Sequence, residues 1–300
     1  MPEARIGVIG GTGLYQLDSL KNVRTVDVDT PFGPPSDSIV VGKLGSTGVA
    51  FLPRHGKGHR LLPTEIPVKA NIYALKSLGV ERIISVSAVG SLRENIKPLN
   101  LVVPDQLIDR TRSRVNTFFG DGIAAHVGFA EPFCPTLSQV MAKAARKTGA
   151  TVHKGGTYVV MEGPAFSTKA ESHLYRSWGA SVIGMTALPE AKLAREAEIC
   201  YSTLALVTDY DCWHETEEPV SVSAVIANLQ KNVSMSRRVL EAAIPNIVSE
   251  RDCACQSALK DAIVTAPEHM SEKTKEELWM LIGKYMKRTR KVKDAKKRTR

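Results

Sequence analysis

Two carboxylates, Asp209 and Asp211, directly follow an apolar run, residues 201–207, that has the composition of a buried strand. A carboxylate is costly to place near a hydrophobic core unless it meets a partner. Ligands of open α/β sheets bind beyond the carboxyl ends of the strands. Where the backbone turns, two acids at positions i and i+2 can both contact the polar edge of one flat ligand. The stretch predicts either such a ligand site or a strand that ends in an Asp-rich turn.

Three earlier segments place small, hydroxyl or cationic residues at predicted strand ends. Residues 6–9 lead into Gly10-Gly11-Thr12-Gly13, where backbone N–H groups and a hydroxyl can form an anion cradle. Residues 48–52 lead into a loop with four potentially cationic side chains, in which Arg54 could hold phosphate through two parallel donors. Residues 82–86 lead into Ser87-Ala88-Val89-Gly90-Ser91. If these strands share one sheet, their loops converge into a phosphate pocket, whereas a solvated basic loop is the alternative for the second segment.

The glycine run also allows a different interpretation, a dinucleotide-binding turn. Residues 7–13 read GVIGGTG and not GxGxxG, so the match to that fingerprint is poor. The hypothesis of a nucleotide-dependent oxidoreductase therefore rests on this turn alone, and titration with NADH would test it.

The elements that position these residues alternate between strands and helices up to about residue 245, which predicts an α/β architecture. No internal repeat, low-complexity linker or domain boundary interrupts this pattern. The predicted strands are residues 6–9, 38–41, 48–52, 82–86, 101–108, 157–161, 182–185 and 201–207. The predicted helices are residues 64–79 with Thr64 as cap, 136–148, 169–178, 189–198, 221–243, and a final helix capped by Ser271 with Leu278, Leu281, Ile282 and Tyr285 on one face.

The charge of this 300-residue chain is concentrated at its C-terminus. The formal net charge is +9, and residues 284–300 hold ten Lys or Arg against one Asp, so residues 1–283 are neutral. We therefore expect a globular domain over residues 1–283 and a basic, disordered tail over residues 284–300. A neutral body argues against a nucleic-acid-binding protein, apart from non-specific contacts through the tail. The absence of a long apolar run and of a signal sequence predicts a cytoplasmic protein without membrane contact.

Five cysteines, an odd number, indicate mostly reduced thiols in a chain of this type. Cys253 and Cys255 are separated by one residue and could form a strained small-ring disulfide or part of a metal site. A metal site needs two further ligands, and the sequence does not reveal them. Free thiols and no metal site are therefore the prediction.

With these residues described, the sequence resembles the 5′-methylthioadenosine phosphorylases, a branch of the trimeric purine nucleoside phosphorylase family. The matching stretches run in family order between about residues 4 and 248. They are residues 10–14, 54–56, 87–92, 130–135, 161–167, 185–186, 189–190 and 208–213. The basic tail has no counterpart in the resemblance, and the pair of Cys253 and Cys255 is similar to one that can be oxidised in members from thermophiles.

The resemblance implies a single α/β domain with a central mixed β-sheet flanked by helices, as in nucleoside phosphorylases. It also implies phosphorolysis of S-methyl-5′-thioadenosine to adenine and 5-methylthioribose 1-phosphate by a homotrimer or a dimer of trimers. Phosphate is then a co-substrate, and no cofactor is needed. The nearest competitor within the family is a phosphorylase of 6-oxopurine nucleosides or of methylthioinosine.

The resemblance also implies a role for each matching residue. The phosphate site comprises Thr12, Arg54, His55, Ser87, Ala88 and Thr186. Asp209, Asp211 and His55 are the catalytic residues, and both aspartates also contact the purine edge. The remaining substrate contacts are Met185 at the ribose, Phe166, Ser167, Val222 and Val225 around the base and the 5′ group, and His126, which reaches into a neighbouring subunit's site.

These roles agree with the chemistry of glycosidic cleavage, which builds positive charge on the sugar and negative charge on the departing purine. Such a reaction needs a bound anion on one side and a proton donor on the other. The loops that carry Arg, His and hydroxyl side chains supply the site for the anion. Asp209 supplies the second if burial raises its pKa enough for it to share a proton with the purine N7.

Overall fold

The computed structural model describes residues 3–11, 13–14, 16–214 and 222–286, without the side chains of residues 222–227 and 229. Thr12, the side chains of Val222 and Val225, and the tail from residue 287 lie outside the described part.

Eleven strands of the described chain form one mixed sheet. The strands are β1 Ile6–Gly10, β2 Leu20–Val26, β3 Ile39–Leu44, β4 Thr47–Pro53, β5 Arg82–Ser91, β6 Leu101–Val103, β7 Gln106–Arg110, β8 Val152–Lys154, β9 Thr157–Met161, β10 Val182–Gly184 and β11 Cys200–Asp209. The helices are α1 Val68–Ser77, α2 Pro135–Lys147, α3 Lys169–Ser177, α4 Ala187–Glu196, α5 Val222–Ala243, α6 Glu272–Glu277 and α7 Trp279–Ile282. The expected mixed sheet with flanking helices is confirmed.

Four parallel strands form the centre of the sheet in the order β4, β1, β5, β11. Successive residues of these strands point to opposite faces, so each strand supplies two cores. In β1, Ile9 packs in the core that contains α1 and α4, whereas Val8 packs in the core that contains α2 and α5. Burial on both faces explains why these strands are continuous apolar runs in the sequence.

The predicted strand over residues 101–108 is two strands in the structure. β6 pairs with β8 and β11, and β7 pairs with β9. The chain changes neighbours at Pro104, which has no N–H to donate, and at Asp105, whose side chain accepts from the backbone N–H of Gly156 at 2.9 Å. β2 was not predicted, because residues 21–25 of this edge strand are all exposed and show no apolar alternation.

Two helix ends also differ from the prediction. α1 begins at Val68 with Pro67 at its N-cap and no side-chain cap, so Thr64 does not cap it. Ser271 does cap the C-terminal helix, since its side chain accepts from the backbone N–H of Thr274. That helix divides into α6 and α7 at Leu278, and none of the described helices is long and apolar enough to cross a lipid bilayer.

The first residues after the predicted boundary at 284 contact the body of the protein. Glu198 is 4% exposed. Its carboxylate pairs with Lys284 and accepts a hydrogen bond from the Tyr285 hydroxyl. It also accepts from the backbone N–H of Leu259 at 3.0 Å. A buried carboxylate thus anchors the C-terminal segment to the end of α4.

Shortening the chain in two steps should separate this anchor from the rest of the tail. A chain that ends at residue 286 keeps all the Glu198 contacts, so we expect its free energy of unfolding to equal that of the full chain. A chain that ends at residue 283 leaves Glu198 short of partners while still buried, which should cost about 1–3 kcal/mol. Urea unfolding measures both, and equal midpoints for the two shortened chains would contradict the anchor.

Candidate active site

Three loops and the second half of β5 meet at one edge of the sheet, because β4, β1, β5 and β11 are parallel neighbours. Arg54 and His55 follow β4, the glycine turn follows β1, and Asp209 ends β11. The convergence expected from the sequence is present in the described residues, except that residues 87–91, predicted to be a loop after a strand over residues 82–86, continue β5 as a strand to Ser91.

On one side of β5, the described structure leaves a gap between two neighbouring strands, β1 and β10. We call this gap the opening. The pairing of β5 with β1 ends at Ser85, and its pairing with β10 begins only at Gly90. Ser87 and Ala88 lie in this interval. The hydroxyl of Thr186, which follows β10, donates to Ser87 Oγ at 2.8 Å. Two residues 99 positions apart, both predicted for the phosphate site, are thus in direct contact at the opening.

Arg54 lies beneath the opening and is only 3% exposed. Its Nε donates to Glu190 Oε1 at 2.5 Å, and its Nη2 contacts Glu190 Oε2 at 3.2 Å. Nη2 also donates to Ser85 Oγ at 2.7 Å, and Nη1 donates to the carbonyl of Val86 at 2.9 Å. The Tyr201 hydroxyl donates to Glu190 at 2.9 Å, so the buried carboxylate is satisfied by several donors.

This arrangement differs from the expectation that Arg54 offers two parallel donors to phosphate. A guanidinium has five N–H groups. The protein acceptors occupy four of them, and among the described residues one N–H of Nη1 is left. Sequence reasoning did not assign Glu190 a role. The sequence signal that could have revealed Glu190 is its carboxylate in the otherwise apolar first turn of α4.

His55 is held neutral by its surroundings. Burial and the neighbouring Arg54 charge lower the pKa of His55 to about 4. Nδ1 lies 2.8 Å from the carbonyl oxygen of Leu61, which can only accept, so Nδ1 carries the proton and Nε2 is unprotonated. The ring stacks on His59 with centroids 4.2 Å apart.

Asp209 lies on the opposite side of β5 from the cationic loop. The Thr208 hydroxyl donates to its Oδ2 at 2.6 Å, and the backbone N–H of Asp211 donates to its Oδ1 at 2.8 Å. Burial raises the pKa of Asp209, although these two hydrogen bonds oppose the rise. The carboxylate fits here because residue 90 is glycine, since a Cβ at that position would lie 2.9 Å from Oδ1.

The turn after Asp209 brings a second carboxylate and the loop after β9 to the same place. Asp211 adopts φ +52° and is 8% exposed, and burial raises its pKa. The next residue, Cys212, places its sulfur 3.2 Å from the carbonyl oxygen of Ser167. Phe166 beside it is 47% exposed. The structure thus brings Asp209, Asp211, Phe166 and Ser167 to one end of the site.

Arg114 joins the loops that follow β9 and β10. Its Nη1 donates to the carbonyls of Met185 and Leu188, and its Nη2 donates to those of Met161 and Glu162. These contacts fix Met185 between the hydroxyls of the opening and the Phe166 loop. Arg114 was not predicted, because it lies in a polar stretch and its acceptors are backbone atoms far away in sequence.

Two side chains of α5 donate hydrogen bonds to the end of β11. The side-chain amide of Asn228 donates to the carbonyl of Thr208 at 2.7 Å, and that of Asn232 donates to Val207 at 3.0 Å. These bonds satisfy backbone groups where the sheet ladder shifts register, next to Asp209.

His126 lies apart in sequence on an exposed segment, where its backbone N–H donates to the carbonyl of Ala262 at 2.9 Å.

The geometry has a cationic, hydroxyl-rich side and an acidic side separated by the width of one strand. The first side can hold an anion, and the second offers carboxyl groups of raised pKa to a polar ligand edge. The arrangement suits a reaction in which an anion attacks one atom while a neighbouring group leaves with negative charge.

Comparison with known proteins agrees with this geometry. The sequence pattern of the phosphorylase superfamily matches residues 5–245. The S-methyl-5'-thioadenosine phosphorylase of Geobacter sulfurreducens is 59% identical over 285 residues, which cover 95% of this chain and 100% of that protein. The enzyme of the same name from Cereibacter sphaeroides is 50% identical over 285 residues, which cover 94% of this chain and 98% of that protein.

Solved structures show the same relationship. A methylthioadenosine phosphorylase from an antarctic soil metagenomic library has a TM-score of 0.90 and 53% identity, with 94% of this chain and 99% of that chain covered. The methylthioadenosine phosphorylase from Schistosoma mansoni in complex with adenine has a TM-score of 0.79 and 38% identity, with 83% and 93% covered. These likenesses confirm both the resemblance and the nucleoside phosphorylase-like fold expected from the sequence, and the chain belongs to the phosphorylase superfamily.

Proposed function

We propose that this chain is a pentosyltransferase that phosphorolyses S-methyl-5′-thioadenosine. A phosphate oxygen bonds to the sugar C1′, the bond from C1′ to the purine breaks with its electron pair on the base, and adenine and 5-methylthioribose 1-phosphate are released. The observation that carries the proposal is the placement of Arg54 and His55 on one side of β5 and Asp209 on the other. The 59% identity to a protein named for this activity supports it.

In this proposal Thr12, Arg54, His55, Ser87, Ala88 and Thr186 bind phosphate. The contact between Thr186 and Ser87 supports it, because two hydroxyls then face the opening beside Ala88. Arg54 contributes its charge and one N–H, while Glu190 fixes its orientation. His55 is catalytic through its unprotonated Nε2, which accepts the proton of a phosphate hydroxyl in a hydrogen bond and orients the attacking anion.

Asp209 and Asp211 are the catalytic residues on the purine side. A carboxyl group whose pKa is raised by burial holds a proton at higher pH than usual, so Asp209 can share one with N7 as negative charge develops there. A carboxylate oxygen also accepts from the 6-amino group of adenine, whereas a 6-oxo group would present a second acceptor. Asp211 fixes Asp209 through its backbone N–H and adds a second acceptor.

The rest of the substrate has apolar surroundings in this proposal. Met185 contacts the ribose, and Phe166, Ser167, Val222 and Val225 surround the base and the 5′-methylthio group. The exposed ring of Phe166 beside Ser167 supports a pocket at this end of the site. The reaction needs no cofactor, because phosphate itself is the second substrate.

We propose a homotrimer or a dimer of trimers in the cytoplasm, with His126 entering the site of a neighbouring subunit. The exposed apolar residues Leu62 and Val115 support an assembly surface. The basic tail is dispensable for catalysis and contacts nucleic acid only non-specifically, because all the excess charge lies there.

Assays of base release from several nucleosides, with and without phosphate, test the proposed reaction. We expect cleavage to require phosphate and to persist in EDTA. We also expect kcat/KM for S-methyl-5′-thioadenosine to exceed that for inosine at least about tenfold, since an unmet buried polar contact costs roughly 1–3 kcal/mol.

Asp209→Asn should lower turnover of adenine nucleosides and shift the ratio of adenine to 6-oxopurine turnover towards 6-oxopurines, while Asp18→Asn at an exposed carboxylate changes neither. A preference for inosine, or an unchanged ratio in Asp209→Asn, would reject the assigned role.

Arg54→Ala should affect both phosphate use and stability. It leaves Glu190, 1% exposed, without its cation, so we expect a loss of about 3–5 kcal/mol in the free energy of unfolding as well as a raised KM for phosphate. The double variant Arg54→Met, Glu190→Gln should regain stability but not phosphate affinity. Arg24→Ala, which breaks an exposed ion pair with Glu3, is the control and should cost less than about 1 kcal/mol. An unaltered phosphate KM in Arg54→Ala would remove this residue from the phosphate site.

Producing two impaired variants together tests the shared site. If His126 acts on the neighbouring subunit, His126→Ala and Asp209→Asn chains produced together should form some sites that contain both native residues. Activity should then exceed the average of the two separate variants, and light scattering should give the mass of a trimer or hexamer. A fully active monomer, or no gain on joint production, argues against the assembly.

A further inference from the structure

Four cysteines from distant parts of the sequence meet at the end of the sheet opposite to the active site. Cys134 is the N-cap of α2, Cys200 is the first residue of β11, and Cys253 and Cys255 lie at the 3-10 turn Ala254–Ser257. Their four sulfur atoms all lie within 4.8 Å of one another. Cys134 and Cys200 are thus the two further candidate ligands that the sequence did not reveal beside Cys253 and Cys255.

The spacing of the sulfurs matches a single tetrahedral ion. A zinc–sulfur bond is about 2.3 Å long, so two thiolates on one tetrahedral zinc ion lie roughly 3.8 Å apart. The sulfurs of Cys200 and Cys253 are 3.3 Å apart, and the largest separation in the group stays within 4.8 Å. All four cysteines are unbonded thiols, since a disulfide would bring two sulfurs to about 2.05 Å.

The surroundings suit a closed metal site. Cys134 and Cys200 are each 1% exposed and Cys255 is 4% exposed, with Cys253 half-buried at the rim. Four thiolates around a divalent ion carry a net charge of about −2. The small cavity that Cys134, Cys200 and Cys253 line is also lined by two basic residues, Arg82 and Arg251, and by two acidic residues, Glu250 and Asp252.

We propose that Cys134, Cys200, Cys253 and Cys255 bind one Zn²⁺ ion as thiolates. Four thiols lose their protons and form four zinc–sulfur bonds, so binding involves no change of oxidation state and needs no oxidant. Four sulfur ligands fill the tetrahedral zinc sphere and leave no position for substrate, which makes the site structural. It fastens the segment after α5 to the first residue of β11. Asp209 lies at the other end of that strand, roughly 30 Å away, so the metal acts on stability and not on the reaction.

The metal content of the native protein is the direct test. Protein purified without chelator should contain about one zinc ion per chain by mass spectrometry of the metal, and should release it to a chelator only on unfolding or thiol modification. Replacement by Co²⁺ should give the visible absorption of a tetrahedral thiolate site. Cys212→Ser changes the cysteine outside the cluster and should retain the metal.

Cys253→Ser separates the metal from the fold, because this cysteine lies at the rim. We expect at least a tenfold loss of zinc affinity and a fall in Tm of roughly 5 °C or more, with kcat at 25 °C changed less than twofold. Native protein with no bound metal overturns the proposal, whether its four thiols titrate as free or its mass shows disulfides. Equal zinc affinity of Cys253→Ser and of the native chain, measured by competition with a chelator, also overturns it. Neither readout depends on which nucleoside the enzyme cleaves.

Discussion

The buried ion pair between Arg54 and Glu190 is the contact on which the proposed phosphate side of the site depends. Placing two charges in a core is favourable only when their remaining hydrogen-bonding groups are satisfied. Here Val86, Ser85 and Tyr201 supply those partners from β5 and β11. One network therefore joins the loop after β4, the middle of β5 and the first turn of α4. This hydrogen-bonded ion pair lies beneath the opening beside Ser87.

The two sides of the site are prepared by opposite electrostatic means. On the anion side, a buried guanidinium keeps its charge through Glu190 and helps to keep the adjacent His55 neutral, with a pKa of about 4. On the purine side, burial raises the pKa values of Asp209 and Asp211. Dipoles and charges fixed before substrate arrives need no reorganisation during the reaction. The proposed phosphorolysis uses this difference across the width of β5.

Much of this arrangement could be predicted from the sequence, since parallel strands buried on both faces are visible as apolar runs that end in polar loops. The strands that lead to Arg54, Ser87 and Asp209 were located in this way, although β5 continues through Ser87 to Ser91. Thr12, Val222 and Val225 were also predicted for the site, but the described structure does not test them. Edge strand β2 escaped detection because its exposed residues carry no periodic signal.

Contacts made between distant residues could not be predicted from local patterns. Glu190 becomes meaningful only when α4 lies under Arg54, and Arg114 only when its backbone acceptors come together. The cysteine cluster is the clearest case, because Cys134 and Cys200 give no local sign that they meet the pair at Cys253 and Cys255. Tertiary structure decides these pairings, so sequence spacing alone suggested two free thiols where the structure assembles four.

The fate of phosphate distinguishes phosphorolysis from hydrolysis by water. Phosphorus NMR of the enzyme with S-methyl-5′-thioadenosine and inorganic phosphate should show a sugar phosphate ester growing in step with released adenine, while the phosphate signal declines equally. Release of adenine together with free 5-methylthioribose, at constant phosphate, would show hydrolysis by water and would contradict the account.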